Sequence, residues 1–340
     1  MAKTIFDKVT LNHLSARNRL VRSATWMALA DETGAPTDRL IDVYRELAAG
    51  GVGTIITGFT SIDAADPYLD GMARLSDDAL APAWSRLVDA VHGGGAKLVV
   101  QLALGAYVRR RHGLEPDGVT HEDLDEVVGL MGAAARRAAT AGADGVQIHL
   151  AHGFWLSRFM SPAYNHRTDE YGGTQQARTL LATRMIEEVR RQAPGLHVTA
   201  KVNCSDFAPN GLAPADAIVL CQELAKAGID SIEVSGNGTS VPGVRPGEDE
   251  GYFAPFGRML KERVDVPVIV VGGWRTIEHM EQALNDGSAD LLSLSRPLVR
   301  EPDLPRRWQE GLREPARCVS CNGCYNTPGH ACVFNLRRRG

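Results

Sequence analysis

The chain has 340 residues, of which 44% are hydrophobic and 23% charged, and its net charge at neutral pH is −4. This is ordinary globular composition, which excludes a disordered or fibrous chain and gives no reason to expect nucleic acid as a partner; the basic run Arg337-Arg338-Arg339 reads as a solvated terminus. No apolar run is long enough to cross a bilayer and residues 1–14 carry no signal-peptide core, so the reading is a cytoplasmic protein with no membrane partner.

Taken in order, Ile5 to Leu11 suggest a short ribbon closing the bottom of a barrel, because apolar Ile5, Phe6, Val9 and Leu11 flank the turn-like Asp7-Lys8. A first strand is expected within 18–25. Apolar runs near 52–57, 97–103, 144–150, 197–203, 230–235, 267–271 and 290–294 then alternate with helical stretches near 38–49, 78–93, 121–141, 175–192, 214–227, 253–263, 276–286 and 302–311. Each connection is too long for a hairpin and suits a right-handed crossover between parallel strands. Eight such units favour a closed (β/α)8 TIM barrel, an α/β fold, over an open sheet. Glycines at Gly50-Gly51, Gly142 and Gly228 mark helix ends, Asp230 and Asp290 precede strands, and Pro267 stands at a strand entrance. The expected organisation is one barrel over residues 1–312 and a cysteine-rich tail over 313–340.

Within the fourth unit, Val146, Ile148 and Leu150 alternate with Gln147 and His149, and the run breaks into His152-Gly153 and a polar loop. Two imidazoles therefore fall at the C-terminal end of a barrel strand and just beyond it, where such barrels place their chemistry. The stretch continues through Ser161, Pro162, Asn165, Arg167, Thr168, Asp169, Tyr171, Gly172 and Gly173. It resembles the old yellow enzyme family of flavin-dependent ene reductases, in which a strand ends in His-x-x-His or His-x-x-Asn and leads to Ser-Pro and Asn-x-Arg-Thr-Asp-x-Tyr-Gly-Gly. One departure is Phe154, where the family usually has tyrosine.

Strand seven runs into Gly272-Gly273 and strand eight ends in Ser295-Arg296, a pairing suited to a phosphate: glycines admit close approach and the guanidinium neutralises charge. The resemblance implies that these loops hold the phosphate of FMN, and that Ser23, Ala24, Thr25 and Gly58 meet the flavin ring. Gln101 alone reads equally well as a buried amide; with the resemblance it becomes a bidentate partner of the flavin pyrimidine edge. Lys201 inside the fifth strand needs an anion or a solvated site, and a cation beside the N1/C2 carbonyl of a flavin favours its reduction. Many relatives have arginine there, so lysine keeps the charge without the fork.

In the family the pair matching His149 and His152 donates hydrogen bonds to the substrate oxygen, on which negative charge builds as hydride reaches the β-carbon. The hydride is expected from flavin N5 after NADH or NADPH has reduced it; no Gly-x-Gly-x-x-Gly follows a strand, so the nicotinamide would share the site. Phe154 cannot supply the α-carbon proton, which leaves Tyr68, Tyr107, His112, Tyr252 or water. The alternatives are an enzyme running in the oxidative direction or a substrate that needs no such proton. Trp26 is expected to shape the substrate pocket or the core. Arg109, Arg110 and Arg111 form a basic loop that either meets an anionic substrate or is merely solvated.

Of six cysteines, Cys204 and Cys221 stand alone and read as small buried residues, whereas Cys318, Cys321, Cys324 and Cys332 crowd the tail. That spacing suits a [4Fe–4S] cluster or zinc, with unmetallated thiols or a disulfide as the further alternative. It is similar to the tail of the branch containing trimethylamine dehydrogenase and 2,4-dienoyl-CoA reductase, although the gap to Cys332 is shorter and the FAD/NAD-binding domains do not follow. The function expected is an FMN-dependent oxidoreductase moving hydride between NAD(P)H and an activated C=C bond of a small-molecule enone, enoate or enoyl thioester. The alternative is oxidation, desaturation or amine oxidation, with electrons leaving through the tail to a partner protein. A third possibility is a flavin-free lyase using the two histidines. By family analogy a homo-oligomer is expected.

Overall fold

Eight parallel strands close into a ring in the computed structural model of the chain: β1 Leu20–Arg22, β2 Thr54–Ile56, β3 Lys97–Ala103, β4 Gly145–Leu150, β5 His197–Asn203, β6 Ser231–Ser235, β7 Val268–Val271 and β8 Leu291–Leu294. Each pairs with the next, β8 returns to β1, and β3 pairs with β4 to complete the barrel. The structure describes residues 2–66, 69–105, 115–238 and 240–336, with backbone alone at 108–109 and 112–113. Tyr68 and Tyr107, the side chains of Arg109 to His112, and the Arg337-Arg338-Arg339 ending lie outside the described residues.

The crossover helices form where the apolar periodicity placed them: α1 Asp38–Ala49, α2 Ala81–Gly93, α3 His121–Thr140, α4 Gln175–Gln192, α5 Pro214–Lys226, α6 Ala254–Lys261, α7 Ile277–Asn285 and α8 Leu304–Gln309. Thr37, Thr120, Thr174 and Thr276 cap four of them by accepting a first-turn amide hydrogen, and Thr120 forms a capping box with Asp123. Short helices at Trp155–Met160 and Arg296–Arg300 extend the loops after β4 and β8.

A repeated device ties neighbouring strands at the bottom. Asp144 accepts from the amide of Leu98, Asp230 from that of Val198 and Asp290 from that of Val268, at 2.8, 2.7 and 2.9 Å. Each carboxylate is also met by a cation, respectively Lys97, Arg190 and Lys261, so the strand entrances are pinned by charge-assisted bonds.

The antiparallel hairpin Val9–Leu11 with Leu14–Ala16 plugs the base: Val9, Leu14 and Ala16 pack with Val21, Ile56, Val99, Ile269 and Leu291 inside the ring. Because alternate strand residues face inward, the next inward layer falls on Ser23, Gln101, Gln147, Lys201, Glu233 and Ser293, all buried. The barrel interior is therefore apolar at its base and polar towards its mouth.

Residues 313–336 fold back over the mouth instead of leaving the barrel. The amide of Ala316 donates to the carbonyl of Arg275, that of Arg317 to Glu301, and that of Gly243 to the carbonyl of Ser320. Arg300 lies 4.5 Å from the ring centre of Phe334.

Candidate active site

One cavity of about 210 Å³ occupies the C-terminal mouth of the barrel and is open on one side. Its wall brings together Ser23, Ala24, Thr25, Trp26, Gln101, His149, His152, Phe154, Lys201, Gly273, Ser295 and Arg296, residues scattered over 270 positions of sequence. Two expected members stand just outside. Gly272 precedes Gly273 in the β7 loop, and Gly58 lies behind the wall, its amide donating to the Tyr44 hydroxyl at 2.8 Å. A Cβ at Gly58 would come within 2.9 Å of the Thr25 carbonyl, so this glycine lets the β1 and β2 ends approach each other.

The two imidazoles sit 5.1 Å apart, edge to face. His149, on β4, is fully enclosed; burial first, then His152 and Lys201, holds its pKa well below the ordinary value. His152 has left-handed backbone at φ +68° and is fixed by two bonds, its amide to Asn203 Oδ1 at 3.1 Å and its Nε2 with Ser235 Oγ at 2.9 Å. Burial and then Lys201 push its pKa down to about 3. Both rings are therefore neutral near pH 7, and each retains one N–H to donate. His149 Nδ1 is buried and meets no partner among the described residues, which marks a place for a bound molecule to accept or supply a hydrogen bond.

The β7–β8 side is built from backbone. Gly272 and Gly273 have φ of +143° and +80°, and a Cβ on Gly273 would come within 2.8 Å of the Tyr252 ring and 3.1 Å of the Asp249 carbonyl. Only glycine fits at position 273 against these neighbours. Thr25 and Ser295 share a 2.8 Å hydroxyl contact, and Arg296 stands beside them. Tyr252, the described member of the expected proton donors, lies at this phosphate-type side, and burial raises its pKa. Two backbone-rich loops, an arginine and a row of small hydroxyl residues suit a phosphate; Lys201 and Gln101 suit the polar edge of a flat heterocycle. The donor set thus fits FMN.

Sequence reasoning missed several members. Arg275, 1% exposed, donates to the carbonyls of Gly273, Trp274 and Cys318 and to Ser320 Oγ at 3.1, 2.7, 2.9 and 2.5 Å. Tyr325 and His330, from the tail, also line the cavity, with His330 4.7 Å from the Trp26 ring and Phe59 bridging Trp26 and Phe154. Glu233 and Gln147 support the wall from below. A lone arginine after a glycine pair was a legible signal; the tail residues carried none.

The four tail cysteines line one small cavity of their own, with Arg296, Asn322, Val333 and Phe334. Arg296 donates to Asn322 Oδ1 at 2.6 Å, so the same guanidinium faces both cavities. No three of the sulfurs come within 4.8 Å of one another; among the described residues only the surface group His121, Asp169 and Glu170 brings three ligand atoms that close. Cys204 and Cys221 are buried away from these sites, and burial pushes the Cys221 thiol upward.

Comparison with known proteins points to one family. Residues 4–314 match the profile of the NADH:flavin oxidoreductase / NADH oxidase family. The chain is 34% identical to a metal reductase of Desulforamulus reducens, aligning 95% of itself with 51% of that protein. It is 30% identical to a 4,4'-dithiodibutanoate disulfide reductase of Rhodococcus erythropolis, over 97% of itself and 94% of the relative. A solved 2-naphthoyl-CoA reductase superposes with a TM-score of 0.84 at 20% identity, covering 95% of this chain and 54% of that one, which is a likeness of fold. This chain thus spans about half the length of two of these three proteins.

Proposed function

Because the chain belongs to the NADH:flavin oxidoreductase / NADH oxidase family, the old yellow enzymes, we propose that it is an FMN-dependent NAD(P)H oxidoreductase acting on an activated C=C bond. The observation that carries this reading is the neutral, enclosed pair His149 and His152 on the same cavity as a cation at one side and a glycine–arginine phosphate cradle at the other. When bound, FMN would accept hydride from NAD(P)H and pass it to the β-carbon of the substrate.

The residues do the rest. Gly272, Gly273, Ser295 and Arg296 hold the phosphate, and Ser23, Ala24, Thr25, Gln101 and Lys201 meet the ring system. His149 and His152 orient the substrate oxygen and stabilise the negative charge that gathers on it; donors fixed in a dry site need no reorganisation as that charge develops. Trp26, Phe59 and Phe154 exclude water and set the width of the substrate space. Phe154 has no proton to give, so the α-carbon proton comes from another group at the open side of the cavity, Tyr252 of its wall or solvent.

The tail supports a second element. Four cysteines lining one cavity, three of them in a Cys-x2-Cys-x2-Cys run, suit a [4Fe–4S] cluster held by Cys318, Cys321, Cys324 and Cys332. Such a cluster beside the flavin cavity favours, as the second reading, oxidation of a substrate with electrons leaving to a partner protein. The absorption spectrum of anaerobically purified protein separates the two: flavin bands that bleach with NADH and return with cyclohexenone support ene reduction. Bands that NADH leaves unchanged, above a broad brown shoulder, support partner-coupled oxidation.

A further inference from the structure

Glu233 is the most deeply enclosed carboxylate at the mouth of the barrel, with no exposed surface, and nothing in the reaction above uses it. It projects from β6 into the inward polar layer, in register with Lys201 on β5. Its Oε1 accepts from Ser23 Oγ at 2.8 Å and Ser293 Oγ at 2.7 Å; its Oε2 accepts from Gln147 Nε2 at 2.8 Å and lies 3.2 Å from Lys201 Nζ. Lys201 Nζ in turn donates to Ser23 Oγ at 2.7 Å. A buried carboxylate is stable only when paired and fully hydrogen-bonded, and three of these partners, Ser23, Lys201 and Ser293, line the cavity.

Two consequences follow from the chemistry of an acceptor-only group. Gln147 must turn its NH₂ towards Glu233, so its Oε1 faces Gln101 and takes the 2.7 Å bond from Gln101 Nε2. That leaves Gln101 Oε1 and one N–H for a ligand. More important, the ammonium that lines the cavity is not a free cation: its counter-charge stands directly behind it, and what a bound ring feels is a dipole.

We propose that Glu233 is a positioning residue that offsets the charge of Lys201 and thereby holds the bound flavin at a lower reduction potential than the lysine alone would set. The inference rests on the reading of the cavity as an FMN site with the pyrimidine edge at Lys201. A cation at that edge stabilises the negative charge of the reduced ring, and an anion within 3.2 Å of the cation removes much of that stabilisation. A lower potential makes the reduced cofactor a stronger hydride donor, which suits a substrate less activated than a simple enone.

The test measures the FMN midpoint potential and the dissociation constant of sulfite, whose lone pair bonds to N5 and places negative charge at the N1/C2 carbonyl side. Wild type, Lys201→Met, Glu233→Gln and the double variant are compared. Glu233→Gln is expected to tighten sulfite at least tenfold and raise the two-electron potential by about 30 mV or more, the equivalent of tenfold. The double variant is expected to lose that gain. If Glu233→Gln leaves both quantities unchanged, or lowers the potential and weakens sulfite, while Lys201→Met lowers the potential and weakens sulfite, the inference is overturned and the site reading stands. If FMN binds and Lys201→Met also changes nothing, the placement of the pyrimidine edge fails first. Should Glu233→Gln not fold, Glu233→Asp withdraws the carboxylate by one methylene from Lys201; a several-fold gain in sulfite affinity supports the inference and no change overturns it.

Discussion

Replacing Arg275 by Met should release the cysteine tail from the barrel. The side chain makes four hydrogen bonds, two to its own loop and two to the tail, at Cys318 O and Ser320 Oγ. Bonds from a charged donor contribute about 1.5–3 kcal/mol each, so the two that cross to the tail contribute about 3–6 kcal/mol to docking. At tenfold per 1.4 kcal/mol, the undocked population should rise by about 10² to 10⁴. Cys332 is buried and Cys321 exposed, which supplies an internal control. In the presence of chelator, iodoacetamide should label Cys321 at similar rates in both proteins and Cys332 much faster in the variant, as read by peptide mass spectrometry. Met occupies comparable volume without the charge, which limits any cavity effect. Equal Cys332 labelling in the two proteins would refute the claim that Arg275 anchors the tail.

His152→Ala should lower kcat for enone reduction by roughly 10²-fold or more, the usual loss on removing one donor to a developing oxyanion, while leaving the rate of flavin reduction by NADH less affected; stopped-flow measurement of the two half-reactions checks this. Because His149 and His152 are held neutral, with His152 at about 3, the unfolded chain binds more protons than the folded one between about pH 6.5 and 3. Stability should therefore rise with pH through that window and fall as the solution is acidified, and His152→Asn should flatten the slope of Tm against pH. Gly172→Ala should be severely destabilising although the position is not left-handed, since its Cβ would fall 2.0 Å from the Arg167 carbonyl; a Tm unchanged from wild type would show that this turn can open.

The sequence alone determined what depends on local periodicity and local chemistry. The apolar runs at 97–103 and 197–203 are strands with those bounds, and 38–49 and 175–192 are helices, because alternation and threonine caps act over a few residues. The motif from His149 to Gly173 likewise placed the imidazoles at a strand end, and the glycine pair after β7 marked a loop that borders the cavity. What lay beyond reach was decided by closure of the ring. Gln101, Gln147, Lys201, Glu233 and Ser293 come from five different strands and Ser23 from the end of a sixth, and only the stagger of the barrel sets them in one layer and turns a costly lysine into one half of a buried pair. The return of the tail, which brings Tyr325 and His330 to the cavity and places four cysteines behind Arg296, is fixed by hydrogen bonds to Arg275, Ser240 and Glu301, long-range partners that leave no periodic trace in the chain.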